Sequence, residues 1–301
     1  MKDLKNSVLE ILREKEEYVN GEKIASKLGV SRVSISKTVK NLKEDGYIID
    51  SKPGVGYKLR KIEFSEISSY IDKKAYYFSE VPSTQSVAQD LAEKGIEEAV
   101  VVSEVQKNGR GRRNRSWQSS RGGLWFTLIL RPDEPPSKAS FLNIIAGLSV
   151  AKAIEDILDI QVSLKWPNDV LLDGKKVCGI LSEMKGEVDH LEYVLLGVGL
   201  NVNNNVSVEG STSLSKIRSK KINRTVLLKA IIKNFEDFMD EDRSNVVVSW
   251  ESRSSTIGKR VEVQKLDGNY DGLAEGIDEN GALIVTKDNG EKESVLSGDV
   301  V

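Results

Sequence analysis

Apolar positions in the first sixty residues recur at helical spacing and then change to the alternation of strands. Leu4, Val8, Ile11 and Leu12 share one face of a first helix. Residues 21–28 predict a second helix burying Ile24, Ala25 and Leu28. Gly29-Val30-Ser31 follows, where Gly permits a tight turn and Ser31 is a strong N-cap for a third helix. That helix turns Ile35, Val39 and Leu42 inward and leaves Arg32, Ser34, Lys37, Thr38 and Lys40 for its outer side. Asp45-Gly46 is a stop signal. Tyr47-Ile48-Ile49 and Tyr57-Lys58-Leu59 flank a Pro- and Gly-containing turn and read as two strands. The pattern is a helix-turn-helix with a wing. Ser31, Arg32, Ser34, Lys37, Thr38 and Lys40 are its expected DNA contacts, with cations for phosphates and hydroxyls for base edges.

Residues 61–75 read as a linker with a short helix. From about residue 76 to 250 the pattern is mixed. Strand-like runs fall at 100–102, 124–130, 162–165, 177–184 and 193–202, and helical runs at 85–94, 141–158 and 225–239. In the last helix Leu227, Ile231, Phe235 and Phe238 form one stripe, read as core. Strict βαβ alternation is missing, so an α+β fold is expected over a doubly wound sheet. From about residue 254, short strands alternate with Gly, Asp and Asn turns, the texture of a small β-barrel. The expected domains are therefore 1–62, 63–253 and 254–301.

Composition narrows the chemistry. The 301 residues carry a net charge of −2, yet residues 1–60 hold thirteen Lys and Arg against nine Asp and Glu, a local +4. A basic end on a near-neutral chain fits a local nucleic-acid patch. There is one cysteine, Cys178, and one histidine, His190. This excludes an internal disulfide and a His/Cys zinc site. It also disfavours Ser-His-Asp catalysis, since His190 sits in a polar turn. No signal peptide or membrane-length apolar run is found, so the expected setting is the cytoplasm, with no membrane partner.

The densest chemical feature is residues 106–117, with five cations, two glycines, no acid and a closing Trp. Guanidinium forks there can grip phosphate oxygens in pairs, and Trp117 offers a flat face. The loop is expected to repel itself and stay mobile until an anion arrives. It is neither a dinucleotide fingerprint, which needs Gly at Asn114, nor a P-loop. Lys165-Trp166-Pro167-Asn168-Asp169 sets a lysine at a strand end, where one rigid charge suits a carboxylate or an α-phosphate. Gly197-Val198-Gly199-Leu200-Asn201 allows close approach to a strand and offers an amide at its end. Ser83-Thr84-Gln85 suits a neutral urea or amide ligand, or simple N-capping.

Together with Gly179-Ile180-Leu181, these segments resemble the biotin protein ligase family over essentially the whole chain. The form with a winged helix is the biotin operon repressor. The resemblance implies an α+β multidomain fold: an N-terminal winged helix-turn-helix, a central mixed ligase domain of the biotin/lipoate ligase type, and a small C-terminal Src-homology-like β-barrel. It implies biotin and ATP as substrates, with Mg2+. Biotinyl-5'-AMP would form, and its biotin would pass to a lysine of biotin carboxyl carrier protein. By resemblance, Ser83, Thr84 and Gln85 face the biotin rings, while Gln106, Arg110, Gly111 and Arg112 close over biotin and the adenylate phosphate. Lys165 binds carboxylate and phosphate oxygens. Arg113, Trp117 and Asn201 serve the adenylate, with Trp117 on adenine. Lys165, Arg110 and Arg112 are the implied catalytic residues; the sequence does not locate the metal ligands, with Asp169 a candidate outer-shell partner. The family commonly has Asn where this chain has Gln85. In its repressors the adenylate acts as corepressor and promotes a homodimer that binds operator DNA. The alternatives at this stage are an active ligase whose winged helix does not regulate, a ligand sensor with a dead ligase domain, and a lipoate or octanoate ligase.

Overall fold

The computed structural model describes residues 4–15, 17–44, 47, 49–60, 66–67, 70–71, 73–187, 190–218, 221–265, 268–296 and 298–300. The expected helix stop at Asp45-Gly46, the strand residue Ile48 and much of the 61–75 linker lie outside these. The chain divides into two compact units, Met1–Phe64 and Ser65–Val301.

The first unit has three helices, α1 (Leu4–Glu14), α2 (Gly21–Leu28) and α3 (Arg32–Glu44), and a hairpin of β1 (Ile49–Lys52) and β2 (Gly56–Leu59). Asn20 caps α2 by accepting from the Glu22 amide at 2.8 Å, and Gly29 ends it in a left-handed conformation. Ser31 caps α3 as its sequence requires, its Oγ accepting from the Ser34 amide at 3.1 Å. Val8, Leu12, Ile24, Ile35, Val39 and Leu42 form the core.

In the second unit a seven-stranded sheet runs in the order β3-β4-β5-β9-β8-β7-β6. Its strands are β3 (Ala75–Phe78), β4 (Ala99–Ser103), β5 (Leu124–Leu130), β6 (Ser163–Lys165), β7 (Asp169–Leu172), β8 (Lys175–Gly186) and β9 (Leu191–Leu200). Among the described strands of this sheet only β3 and β4 pair in parallel, so the expected departure from a doubly wound sheet holds. Helix α4 (Thr84–Glu93) covers one face, packing Ala88 and Ala92 on Val101, Ile129 and Leu195. The apolar helix α5 (Phe141–Leu158) covers the other, where Asn143 Nδ2 donates to Ser182 Oγ at 3.1 Å. Helices α6 (Leu214–Arg218), α7 (Arg224–Met239) and α8 (Arg243–Glu251) complete this part. The α7 stripe is core, with Leu227, Ile231 and Phe235 buried and Phe238 half-buried.

The C-terminal strands are β10 (Arg260–Gln264), β11 (Asn269–Ile277), β12 (Leu283–Lys287), β13 (Lys292–Val295) and β14 (Asp299–Val300). They form an antiparallel sheet in the order β13-β12-β11-β10-β14. This corrects the expectation in one respect: among the described residues no pairing of β13 with β14 closes it into a barrel. The sheet is tied to the rest of its unit at Trp166, whose Nε1 donates to the Gly281 carbonyl at 3.0 Å.

Candidate functional site

Strand register explains where the site lies. Trp125, Gly199, Gly179, Asp169 and Lys165 are successive register partners across β5, β9, β8, β7 and β6. Side chains alternate along a strand, so partners in one row share a face. This row lies on the α4 face, and a second row sets Thr127, Gly197 and Leu181 beside it. Lysine and aspartate stand at one end, and bare glycines form the floor.

The glycines are occupied from above. A Cβ on Gly199 would meet Trp117 Nε1 at 2.4 Å, and one on Gly179 would meet the same ring at 3.0 Å. A Cβ on Gly197 would meet the Gln85 amide at 3.0 Å. The expected close approach to this strand is thus made by two side chains of the chain itself. Lys176 Nζ lies 5.2 Å from the centroid of the Trp117 ring and 2.6 Å from Asp169.

Around this floor is a cavity of about 390 Å3. Ser83, Thr84, Gln85, Gln106, Arg110, Gly111, Arg112, Trp117, Lys165 and Asn201 all line it. Sequence segments from four places therefore converge. At the α4 N-terminus, Ser83 Oγ caps the Gln85 amide at 3.2 Å. Gln106 Oε1 accepts from the Thr84 amide at 2.8 Å and from its hydroxyl at 3.0 Å. Thr127 Oγ1 donates in turn to Thr84 Oγ1 at 2.8 Å. Gln85 Nε2 donates to the carbonyls of Leu181 and Leu195, at 3.3 and 3.4 Å, while its buried Oε1 has no partner. An unsatisfied buried acceptor is costly, so it invites a donor from a ligand. Asn201 Oδ1 accepts from Asn204 Nδ2 at 2.9 Å, which leaves its own amide donor available.

The cations differ in their commitments. Arg110 lies 3.4 Å from Glu183 and donates to Ser86 Oγ at 3.2 Å. Arg112 donates to Asn168 Oδ1 at 3.1 Å and to the Gly298 carbonyl at 2.6 Å. Burial pulls its guanidinium below the usual range, opposed by the neighbouring Asp299 carboxylate. Lys165 makes no hydrogen bond or ion pair among the described residues. Arg113 departs from expectation. It does not line the cavity, and its left-handed backbone, φ 51°, turns it to the Gln264 carbonyl at 2.9 Å and to Asp299 at 3.3 Å.

The loop itself is a tight hairpin. The Trp117 amide donates to the Gly109 carbonyl at 2.8 Å, and a Cβ on Gly109 would meet the Trp117 oxygen at 2.3 Å. Cys178 is fully buried, which pushes its thiol well above the usual range and keeps it protonated. His190 is exposed and does not line the cavity. Sequence reasoning missed Asn168 as the rest for Arg112, Lys176 as the partner of Trp117, and Asp299. Asn168 and Asp169 were legible only as neighbours of Lys165; Asp299 carries no local signal.

On α3, Arg32, Lys37 and Lys40 are exposed and Ser34 is half-buried. Arg32 pairs with Glu22 at 3.2 Å. Thr38 is a correction: it is 7% exposed. At i+3 from Ile35 and i+4 before Leu42 it belongs to the core face. Ser36 and Val33, which the reading passed over, are exposed instead, Val33 at 77%.

A sheet face carrying cations, amides and an aromatic ring around one cavity, with the sole thiol inert, defines a site for an anionic ligand. Residues 77–201 match the biotin/lipoate A/B protein ligase family, residues 256–301 the biotin protein ligase C-terminal domain and residues 5–58 an HTH domain. The chain is 34% identical to the bifunctional ligase/repressor BirA of Bacillus subtilis (strain 168), over 94% of each chain. It is 27% identical to the protein of that name from Escherichia coli (strain K12), covering 90% of this chain and 89% of that one. Among solved structures it is similar to the biotin protein ligase from Aquifex aeolicus in complex with biotin and ATP. There the TM-score is 0.64 and the identity 31%, over 76% of this chain and 98% of that one. The chain belongs to the biotin protein ligase family, in the bifunctional form that carries an N-terminal HTH domain.

Proposed function

We infer that this chain is an ATP-dependent biotin protein ligase that also represses transcription through its helix-turn-helix. The observation that carries the reading is the partnerless Lys165 in one cavity with Arg110, Arg112, Trp117 and the amides of Gln85 and Asn201. The biotin carboxylate attacks the α-phosphate of ATP, giving biotinyl-5'-AMP and pyrophosphate. A lysine amine of biotin carboxyl carrier protein then attacks the acyl carbon, forming an amide and releasing AMP. Neither step needs an enzyme nucleophile, only positioning and cations around developing charge. In this reading Lys165, Arg110 and Arg112 supply that charge. Ser83, Thr84, Gln85, Gln106 and Gly111 hold biotin, with the partnerless Gln85 Oε1 as acceptor for a ureido N–H. Trp117 and Asn201 hold the adenylate, and Arg113 supports them from the loop.

Asp169 and Asp299 are the acidic side chains among the cavity-lining residues. No group of three metal-ligating side chains converges among the described residues. That donor set fits a Mg2+ carried in on the ATP phosphates, which the metal would neutralise. The domains are read as 1–62, 63–253 and 254–301, the last carrying the antiparallel C-terminal sheet. Among the described residues no helix is long and apolar enough to cross a membrane. A cytoplasmic setting and an adenylate-dependent homodimer on operator DNA complete the proposal. The test is labelled biotin with Mg-ATP and a carrier domain. Covalent label on a carrier lysine is expected. Transfer of lipoate in place of biotin would overturn the substrate assignment.

A further inference from the structure

Three arginines of the loop converge on one carboxylate that no local motif marks. Arg112, Arg113 and Arg115 lie 3.2, 3.3 and 2.7 Å from Asp299, in the last strand, β14. Two backbone carbonyls beside it, of Gly298 and Gln264, accept from Arg112 and Arg113 at 2.6 and 2.9 Å. The Asp299 side chain is 17% exposed and lines the same cavity as Lys165. Three clustered guanidinium groups repel one another, and a single carboxylate offsets only one of their charges. The loop therefore stays near the cavity because an anion is built into the C-terminal sheet, and positive charge is left over for a ligand phosphate. Arg112 links the two: one nitrogen reaches Asn168 beside Lys165, the other reaches β14.

We propose that Asp299 is a positioning residue, a latch that seats the arginine loop on the C-terminal sheet and aims Arg112 into the cavity. Asp299 touches no reacting atom in this scheme; it acts through Arg112. Asn in its place keeps the shape and loses the charge. The inference rests on the ligase reading only for what the loop grips, not for how it is held.

The test compares the full chain with Asp299→Asn, Asp299→Glu and Arg115→Gln. Subtilisin cleavage within the loop, which does not depend on the arginines, is followed first without biotin or ATP. Asp299→Asn is expected to raise the cleavage rate roughly five- to thirtyfold, the range for losing a small ion-pair network. Arg115→Gln should give a smaller rise, and Asp299→Glu should restore much of the protection. With biotin and Mg-ATP, Asp299→Asn should raise the KM for ATP and speed adenylate release, with less effect on kcat. Unchanged loop cleavage, or adenylate held more tightly by Asp299→Asn, would overturn the latch. If the latch behaves as expected while neither parent nor variants make adenylate, the ligase reading fails and the latch stands. Unchanged thermal unfolding in Asp299→Glu and Arg115→Gln separates the effect from misfolding.

Discussion

Lys165 differs from every other cation lining the cavity. Arg110, Arg112, Arg115 and Lys176 each have a partner, whereas Lys165 has none among the described residues. A half-buried cation without a partner gains no ion-pair energy from the fold and is available to a ligand. Lys165→Ala should therefore lower adenylate synthesis by about 10²–10³-fold, as loss of one preorganised charge does, with no loss of thermal stability. Single-turnover formation of labelled adenylate, with a melting curve beside it, checks both halves. A lower melting temperature with synthesis retained would make the residue structural. Gly199 supports the opposite kind of prediction. A methyl there must displace Trp117 from 2.4 Å, an overpacking that costs about 1–3 kcal/mol. Gly199→Ala should raise the KM for ATP, while biotin binding measured by calorimetry stays near the parent value. At this scale the candidate site was legible wherever the chemistry sits in a contiguous motif. Thr38 was misplaced because a polar residue on the core face of α3 looks like a surface residue until periodicity is counted. Asp299 was invisible because even Arg115, the nearest of its partners along the chain, lies 184 residues away, and an isolated Asp signals nothing.

Elements were legible in proportion to how strongly their own residues specify them. Strand β5 and helix α5 occupy the ranges their patterns require, because both are long apolar runs bounded by turns. Helix α8 is the contrary case. It contains Val246-Val247-Val248, a β-branched run with no helical signal, and it stands because Val246 and Trp250 are buried against its unit. Strand β3 begins at the end of the expected linker and was not among the strand-like runs, since four half-buried residues beside a parallel neighbour show no alternation. The C-terminal sheet carries a prediction of its own. Hydrogen bonds from Lys265, and then from Lys287, hold the Glu293 carboxyl down at about 2, against an ordinary 4.5. A carboxyl with a depressed folded value stabilises fully above the unfolded value, and the effect is lost as pH falls through the folded one. Acid melting curves should therefore lose stability between pH 4.5 and about 2. Glu293→Gln should flatten that limb by about 1 kcal/mol or less, since the pairs are partly solvated. An unchanged acid limb in the variant would remove Glu293 from the account.

At the scale of the whole molecule, the order of the parts could be read along the chain, but the row from Lys165 to Trp125 could not, because register is set by folding and not by adjacency. The same distinction bears on regulation. Each of the two compact units has its own core, so DNA binding and ligation could in principle proceed independently. Coupling requires that the adenylate bind more tightly to the state that binds operator, and linkage then makes the effect reciprocal. A two-fold operator supplies a physical route. In the proposed reading one α3 would meet one half-site, so a ligand that favours a dimer would tighten binding to the paired sites. Adenylate should accordingly lower the dissociation constant for a two-half-site duplex by about 5–150-fold. It should shift the sedimenting species to a dimer, and the same duplex should slow adenylate release by a matching factor. Lys37→Ala, which removes an exposed cation of α3, should weaken binding to all duplexes alike and reduce the salt slope by about one. Ligase activity should be untouched by that change. If carrier is labelled normally while operator affinity ignores the adenylate, the winged helix is a DNA-binding unit that the ligase does not control.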